Sequence, residues 1–186
     1  VPPRRPAPPE LADPPPTSPA AAATSPAAAV WTAAAPGYRR FERTVRTGSG
    51  PAHWAAVSAA VLEWGVKTRS GFTVEPAPGG GSRVRQGGRW WLRAAVGPVT
   101  VREPVEVVAV VERPDRAGFA YGTLAGHPVS GEEAFIVSRT PDDDLLLTLR
   151  SLTAPGHGLW RPAFPALLVA QRAYRRRYER ALTGLG

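Results

Sequence analysis

Gly118–Val137 reads GFAYGTLAGHPVSGEEAFIV, and in this stretch strand alternation, enforced turns and ionisable side chains coincide. Period-two alternation puts Phe119, Tyr121 and Thr123 on one face of a strand and Ala120, Gly122 and Leu124 on the other. A second strand follows, in which Ala134 and Ile136 alternate with Phe135 and Val137. Between them, Ala125-Gly126-His127-Pro128-Val129-Ser130-Gly131 carries two glycines and a proline, residues that interrupt strands. The reading is a hairpin with a long loop. It places His127 beyond the strand ends, at a rim, and puts Glu132 and Glu133 at the start of the returning strand.

Working outward, the segments on either side of the hairpin are also strand-like. Phe72–Val74, Trp90–Ala95, Val99–Arg102 and Val105–Val111 precede it, and Leu145–Leu149 follows the Asp142-Asp143 turn. Val105–Val111 (VEVVAVV) is apolar at nearly every position, as a strand covered on both faces is. Tyr38–Val45 reads as a first edge strand. Ser49-Gly50-Pro51 opens a helix, with Ser49 as expected cap and Pro51 in its first turn. Trp54, Val57, Val61 and Trp64 form the inward stripe of that helix, and Gly65 is its expected stop. Residues 153–159 read as a loop, and Pro162 or Pro165 is the expected start of the last helix. Along that helix Trp160, Phe164, Leu167, Gln171, Tyr174, Tyr178 and Ala181 recur at gaps of four and three, a continuous inward stripe. Arg172, Arg175, Arg176 and Arg180 are assigned to its outer face.

The hairpin resembles the signature of an uncharacterised family of bacterial and plant proteins, domain of unknown function nineteen-ninety, whose members carry a stretch much like FAYGTLPGHPExGEExF. Phe119–Leu124, Gly126–Pro128, Gly131–Glu133 and Phe135 match it. Ala125 and Val129 stand where proline and glutamate are expected. The resemblance extends to Pro36-Gly37-Tyr38, the tryptophan-bearing helix and the Arg/Tyr-rich last helix, over roughly residues 36–182. It implies no activity.

Residues 1–35 are rich in proline and alanine, which remove hydrogen-bond donors and offer little area to bury. The expectation is a disordered tail with polyproline II character, followed by one domain over 36–186. The apolar run Ala20–Val30 is too short to span a bilayer, and Arg4-Arg5 is not followed by a signal-like apolar core. A cytoplasmic location is expected. The chain has no cysteine, which excludes disulfides, thiolate metal ligands and a cysteine nucleophile.

The net charge is +8 and the isoelectric point about 11.1. Lys67 is the sole lysine beside the many arginines, a bias that GC-rich codon usage produces. The basic run RAYRRRYER combines arginines with aromatics, a pattern that can meet phosphate. However, Tyr174 and Tyr178 belong to the inward stripe, and no nucleic-acid motif accompanies the run. No specific nucleic-acid partner is expected, and whether there is a protein partner is left open.

One helix, six or seven adjacent strands and one long helix argue for an α+β fold with a single curved antiparallel sheet. A sheet wrapped around the C-terminal helix resembles the helix-grip arrangement of the START and birch-pollen-allergen (Bet v 1) superfamily. A closed barrel with peripheral helices is the alternative. The favoured function is a non-catalytic binding module for a small apolar or amphipathic ligand held between sheet and last helix. Its anchors would be Tyr121, His127, Gln171, Tyr174 and Tyr178. An enzyme using His127 with Glu132 or Glu133 as acid and base is the second reading. Against it, adjacent glutamates point to opposite faces of a strand. The third is binding of nucleic acid or an anionic surface by the basic last helix. No Gly-x-Ser-x-Gly elbow offers a serine nucleophile, and no metal or other cofactor is expected, since no second histidine lies at ligand spacing.

Overall fold

The computed structural model describes residues 11, 14–18, 22–33, 35–96, 99–158 and 160–185. The expectations for residues 1–10, 12–13, 19–21 and 34 lie outside them. In chain order the elements are β1 (Arg39–Ser49), α1 (Pro51–Leu62), α2 (Gly65–Thr68), β2 (Phe72–Pro76), β3 (Arg89–Val96), β4 (Val99–Arg113), β5 (Arg116–Thr123), β6 (Val129–Arg139), β7 (Asp144–Pro155) and α3 (Trp160–Tyr178).

The strands form one antiparallel sheet in the order β1-β7-β6-β5-β4-β3-β2. Every strand from β2 to β7 pairs antiparallel with its neighbour in sequence, and from β3 onward the connections are too short for anything but hairpins. β1 closes the other edge by pairing with β7. The sheet curves around α3, which reaches across its concave face. At one side the Tyr174 hydroxyl donates to the Ala95 carbonyl on β3 at 2.9 Å, and at the other Arg175 Nη2 donates to Ser151 Oγ on β7 at 2.8 Å. This is a helix-grip fold.

The main core lies between the concave face and the helices. Val57, Val61 and Leu62 of α1 pack with Trp64, Trp90, Leu92, Phe119, Tyr121, Phe135, Leu147 and Tyr178. Trp64 meets Phe119 edge-on, with ring centroids 4.6 Å apart. Fully burying an aromatic side chain of this kind stabilises a fold by about 3 kcal/mol. That offsets the left-handed backbone at Trp64 (φ 62°), which ends α1. Here the structure departs from expectation: Gly65 is not the stop but the first residue of the short α2. Similarly, Ser49 is the last residue of β1, and Gly50 takes the cap position.

Three further differences concern strand and helix limits. Val99–Arg102 and Val105–Val111 are one strand, β4, which runs through Pro104 because that residue's carbonyl still pairs, accepting from Leu124 N at 3.0 Å. β7 extends to Pro155, into the expected loop. α3 begins at Trp160 and carries Pro165 inside it.

The largest departure lies on the convex face. The described residues between 11 and 33 are not a free tail but pack across the sheet. Thr17 N donates to the Thr123 carbonyl at 2.9 Å, and Pro16 bridges Leu124. Gly122 makes room for this approach, since a Cβ there would lie 2.6 Å from Ser18 Oγ. Trp31 and Leu11 are buried, each 3% exposed. The composition argument fails here because this segment is held mainly through its backbone. Buried Arg150 donates to the carbonyls of Ser25 at 2.8 Å, Ala28 at 3.0 Å and Ala29 at 3.0 Å. Arg116 donates to those of Pro26 at 2.7 Å and Ala28 at 2.8 Å.

Candidate functional site

The β5–β6 register decides which side chains face α3. Tyr121 pairs with Glu133 and Gly122 with Glu132. Because faces alternate, Glu133 joins Tyr121 on the concave side and Glu132 is sent to the convex side. There its carboxylate accepts from Thr24 N at 2.7 Å and Ala23 N at 3.1 Å, with the Thr24 hydroxyl also donating to it. Burial raises the Glu132 carboxyl above its ordinary pKa, while those hydrogen bonds oppose the rise. The Glu132 carboxylate therefore anchors the N-terminal segment on the convex side, away from the Tyr121 and Glu133 side chains.

Between the concave face and α3 lies a cavity of about 100 Å³. At roughly 10–15 Å³ per water-sized group it admits a molecule of several non-hydrogen atoms. Tyr121, His127, Gln171, Tyr174 and Tyr178, the five anchors expected from sequence, all line it. So do Lys67, Glu103 and Glu133, of which sequence reasoning marked only the last.

Lys67, on α2, is 3% exposed. Its Nζ pairs with Glu133 Oε2 at 2.9 Å and donates to the Tyr178 hydroxyl at 2.8 Å. The rings of Phe72 and Tyr178 lie 4.4 and 4.8 Å from the ammonium, close enough for cation–π attraction. The Tyr121 hydroxyl donates to the same Glu133 oxygen. Burial and the Glu133 charge hold both tyrosine hydroxyls well above the usual phenol range, so they remain protonated donors.

The loop half of the cavity is different. His127 N donates to the Leu124 carbonyl at 3.1 Å, closing a turn in which Gly126 takes φ 96°, a value that glycine adopts without strain. The turn folds the imidazole inward, so His127 is buried rather than at a solvent-exposed rim. Nδ1 lies 2.9 Å from the Val129 carbonyl, to which one neutral tautomer donates, and 3.1 Å from Val129 N, from which the other accepts; Nε2 faces the cavity 3.8 Å from Glu103 Oε2. Burial, with Lys67 nearby, lowers the His127 pKa to about 3, so the ring is neutral. Glu103, on β4 opposite Leu92 of β3, is raised to about 7, first by burial and then by the Glu133 charge against the opposing pull of Lys67. Its carboxyl receives no hydrogen bond from the described residues. Gln171 Nε2 donates to Thr153 Oγ1 at 3.2 Å, and its Oε1 is buried without a partner.

The pair expected for acid–base chemistry is thus not assembled. Glu132 lies behind the sheet, Glu133 is occupied by Lys67 and Tyr121, and the carboxyl beside His127 is Glu103. Lys67 was marked in the sequence only by being the sole lysine, and Glu103, between the two expected strands Val99–Arg102 and Val105–Val111, by no signal. On α3, which ends at Tyr178 before Arg180, Arg175 does not face outward with Arg172 and Arg176. It stacks on Phe41, 3.7 Å from the ring centroid, and burial lowers its pKa. No group of three or more metal-ligating side chains occurs among the described residues. No described helix is long and apolar enough to cross a membrane.

Fold and cavity together define a helix-grip protein with a small, polar-floored chamber under its C-terminal helix. The chain belongs to the family described as Domain of unknown function (DUF1990), whose model matches residues 22–181. That match takes in residues 22–33, which dock on the convex face. A UPF0548 protein of Deinococcus radiodurans is 32% identical over 149 residues, covering 74% of this chain and 73% of the relative. Among solved structures, the hypothetical protein jhp0584 of Helicobacter pylori shares the fold at 9% identity, with a TM-score of 0.58 over 78% of this chain and 85% of its own. Ara h 8.0201 aligns over 78% of this chain and 98% of its own at 13% identity, with a TM-score of 0.49.

Proposed function

We propose that this protein is a binding module that holds a small amphipathic ligand between the sheet and α3. One observation carries the reading: apolar walls and buried polar groups converge on a single cavity beside the terminal helix. Phe72, Ala94, Val101, Leu167 and Ala170 line its walls, whereas Glu103, His127 and Gln171 turn polar atoms toward it. Sites for small molecules are concave and mainly apolar, with a few fixed polar groups that set orientation. Burying polar atoms without partners costs about 1–3 kcal/mol each, a cost that a ligand satisfying them removes. Binding is favoured over acid–base catalysis because neutral His127 is a weak base and its expected carboxylate partners are engaged elsewhere.

The test is a screen of short-chain amphipathic fragments by saturation-transfer NMR, on the native chain and on Ala170→Trp, whose ring would fill the chamber. Arg172→Glu, on the outer face of α3, serves as control. The expectation is binding to the native chain and the control, lost in Ala170→Trp. Fragments that bind Ala170→Trp as well as the native chain, or that bind neither, would overturn the proposal.

A further inference from the structure

Three acceptors facing this cavity have unmet hydrogen-bonding capacity. The Glu103 carboxyl receives no hydrogen bond from the described residues, the Gln171 Oε1 is buried and unpartnered, and the His127 tautomer that donates from Nδ1 to the Val129 carbonyl, the one a donor in the cavity selects, leaves the Nε2 lone pair free. The 3.8 Å between His127 Nε2 and Glu103 Oε2 is too long for a direct bond, but a donor group seated between them reaches both. The charge around them is asymmetric. Lys67 is already neutralised by Glu133 at 2.9 Å, so ionised Glu103 is the excess charge of the chamber. An anionic head group would meet Glu103 and Glu133, and Lys67, the cation that lines the cavity among the described residues, is already paired. The rings of Phe72, Tyr121, Tyr174 and Tyr178 lie along the same walls and favour a cation over an anion.

Deepening the proposed binding function and resting on it, we infer that the cavity selects a small amphipathic amine, its protonated nitrogen donating to Glu103, His127 Nε2 and Gln171 Oε1. An alkylammonium has three N–H donors for these three acceptors, and its carbon chain would run along Leu167, Ala170 and Val101. The groups facing Glu103 are Lys67 of α2, His127 of the hairpin loop, Tyr121 of β5, Glu133 of β6, and Tyr174 and Tyr178 of α3. Glu103, raised to about 7, changes charge between pH 6 and 8, whereas His127, lowered to about 3, stays neutral and the Tyr121 and Tyr178 hydroxyls stay protonated.

The experiment titrates hexylamine, 1-hexanol and hexanoate into the native chain, Glu103→Gln and Ala170→Trp by calorimetry at pH 6 and pH 8. The expected result is a preference for hexylamine over 1-hexanol of at least about tenfold at pH 8, abolished in Glu103→Gln. Hexylamine affinity should also rise about tenfold from pH 6 to pH 8 as Glu103 ionises. The pH series needs no substitution, so it stands even if Glu103→Gln folds poorly. If 1-hexanol or hexanoate binds as tightly as the amine and Ala170→Trp removes that binding, the amine assignment is overturned while the binding function stands. If none of the three binds, both fall together.

Discussion

Lys67 is the residue on which the inner polar cluster depends. Its ammonium joins Glu133, Tyr178 and, through Glu133, Tyr121 in a place where none is freely hydrated. Removing one member of a buried ion pair leaves the other uncompensated. Lys67→Met is therefore expected to lose about 3–5 kcal/mol, read as a lower urea midpoint at unchanged slope. Tyr121→Phe, which leaves the ion pair in place, should lose about 1–2 kcal/mol. Glu103 and His127 give stability opposing pH dependences. Glu103 titrates near 7 when folded and near 4.5 when unfolded, so its contribution is full below 4.5 and is lost as pH rises through 7. His127 titrates near 3 when folded and near 6.5 when unfolded, so its contribution is present above 6.5 and is lost as pH falls toward 3. The two slopes oppose each other between about 4.5 and 6.5. Glu103→Gln should remove the alkaline limb, gaining about 2–3 kcal/mol relative to the native chain between pH 4.5 and pH 8. Denaturation curves across that range check it, and parallel curves for the two proteins would contradict it.

Among the elements, the N-terminal segment and α3 show what pattern reveals and what it hides. The inward stripe of α3 was legible because gaps of three and four residues place side chains on one helical face whatever the partner. The β5–β6 hairpin was legible because alternation separates Tyr121 from Gly122 and Glu132 from Glu133, whereas which glutamate joins Tyr121 is set by the register. Residues 22–33 were not legible. Trp31 and Thr24 are buried, but much of what fixes the segment comes from elsewhere in the chain, the guanidinium groups of Arg150 and Arg116 brought in by β7 and β5. A composition argument weighs a segment's side chains, not its carbonyls. A chain starting at Pro36 would leave Arg150, which is 1% exposed, without four backbone acceptors and would expose the convex face. It should melt about 10 °C or more lower, as a loss of roughly 3–5 kcal/mol implies for a domain of this size. An unchanged midpoint in differential scanning calorimetry would show that the segment adds nothing to stability.

For the whole molecule, a curved sheet gripping one helix brings chemistry together from distant parts of the chain. Lys67 comes from a four-residue helix, Glu103 from β4, His127 from a turn and Gln171 from α3. Each is individually unremarkable in sequence, which is why the anchors on the stripe and the hairpin could be named beforehand while Lys67 and Glu103 could not. Their meeting depends on strand register and on the angle at which α3 crosses the sheet, quantities that no local pattern records. The account rests on the chamber beneath α3 being where a small molecule binds. The most direct test is amide chemical-shift mapping on ¹⁵N-labelled protein during titration with hexylamine. Shifts are predicted to concentrate at Lys67, Glu103, Tyr121, His127 and Glu133 and along Leu167–Tyr178. Shifts confined instead to the exposed arginine groove around Arg39, Arg40, Arg172 and Arg176, or an unperturbed spectrum, would contradict it.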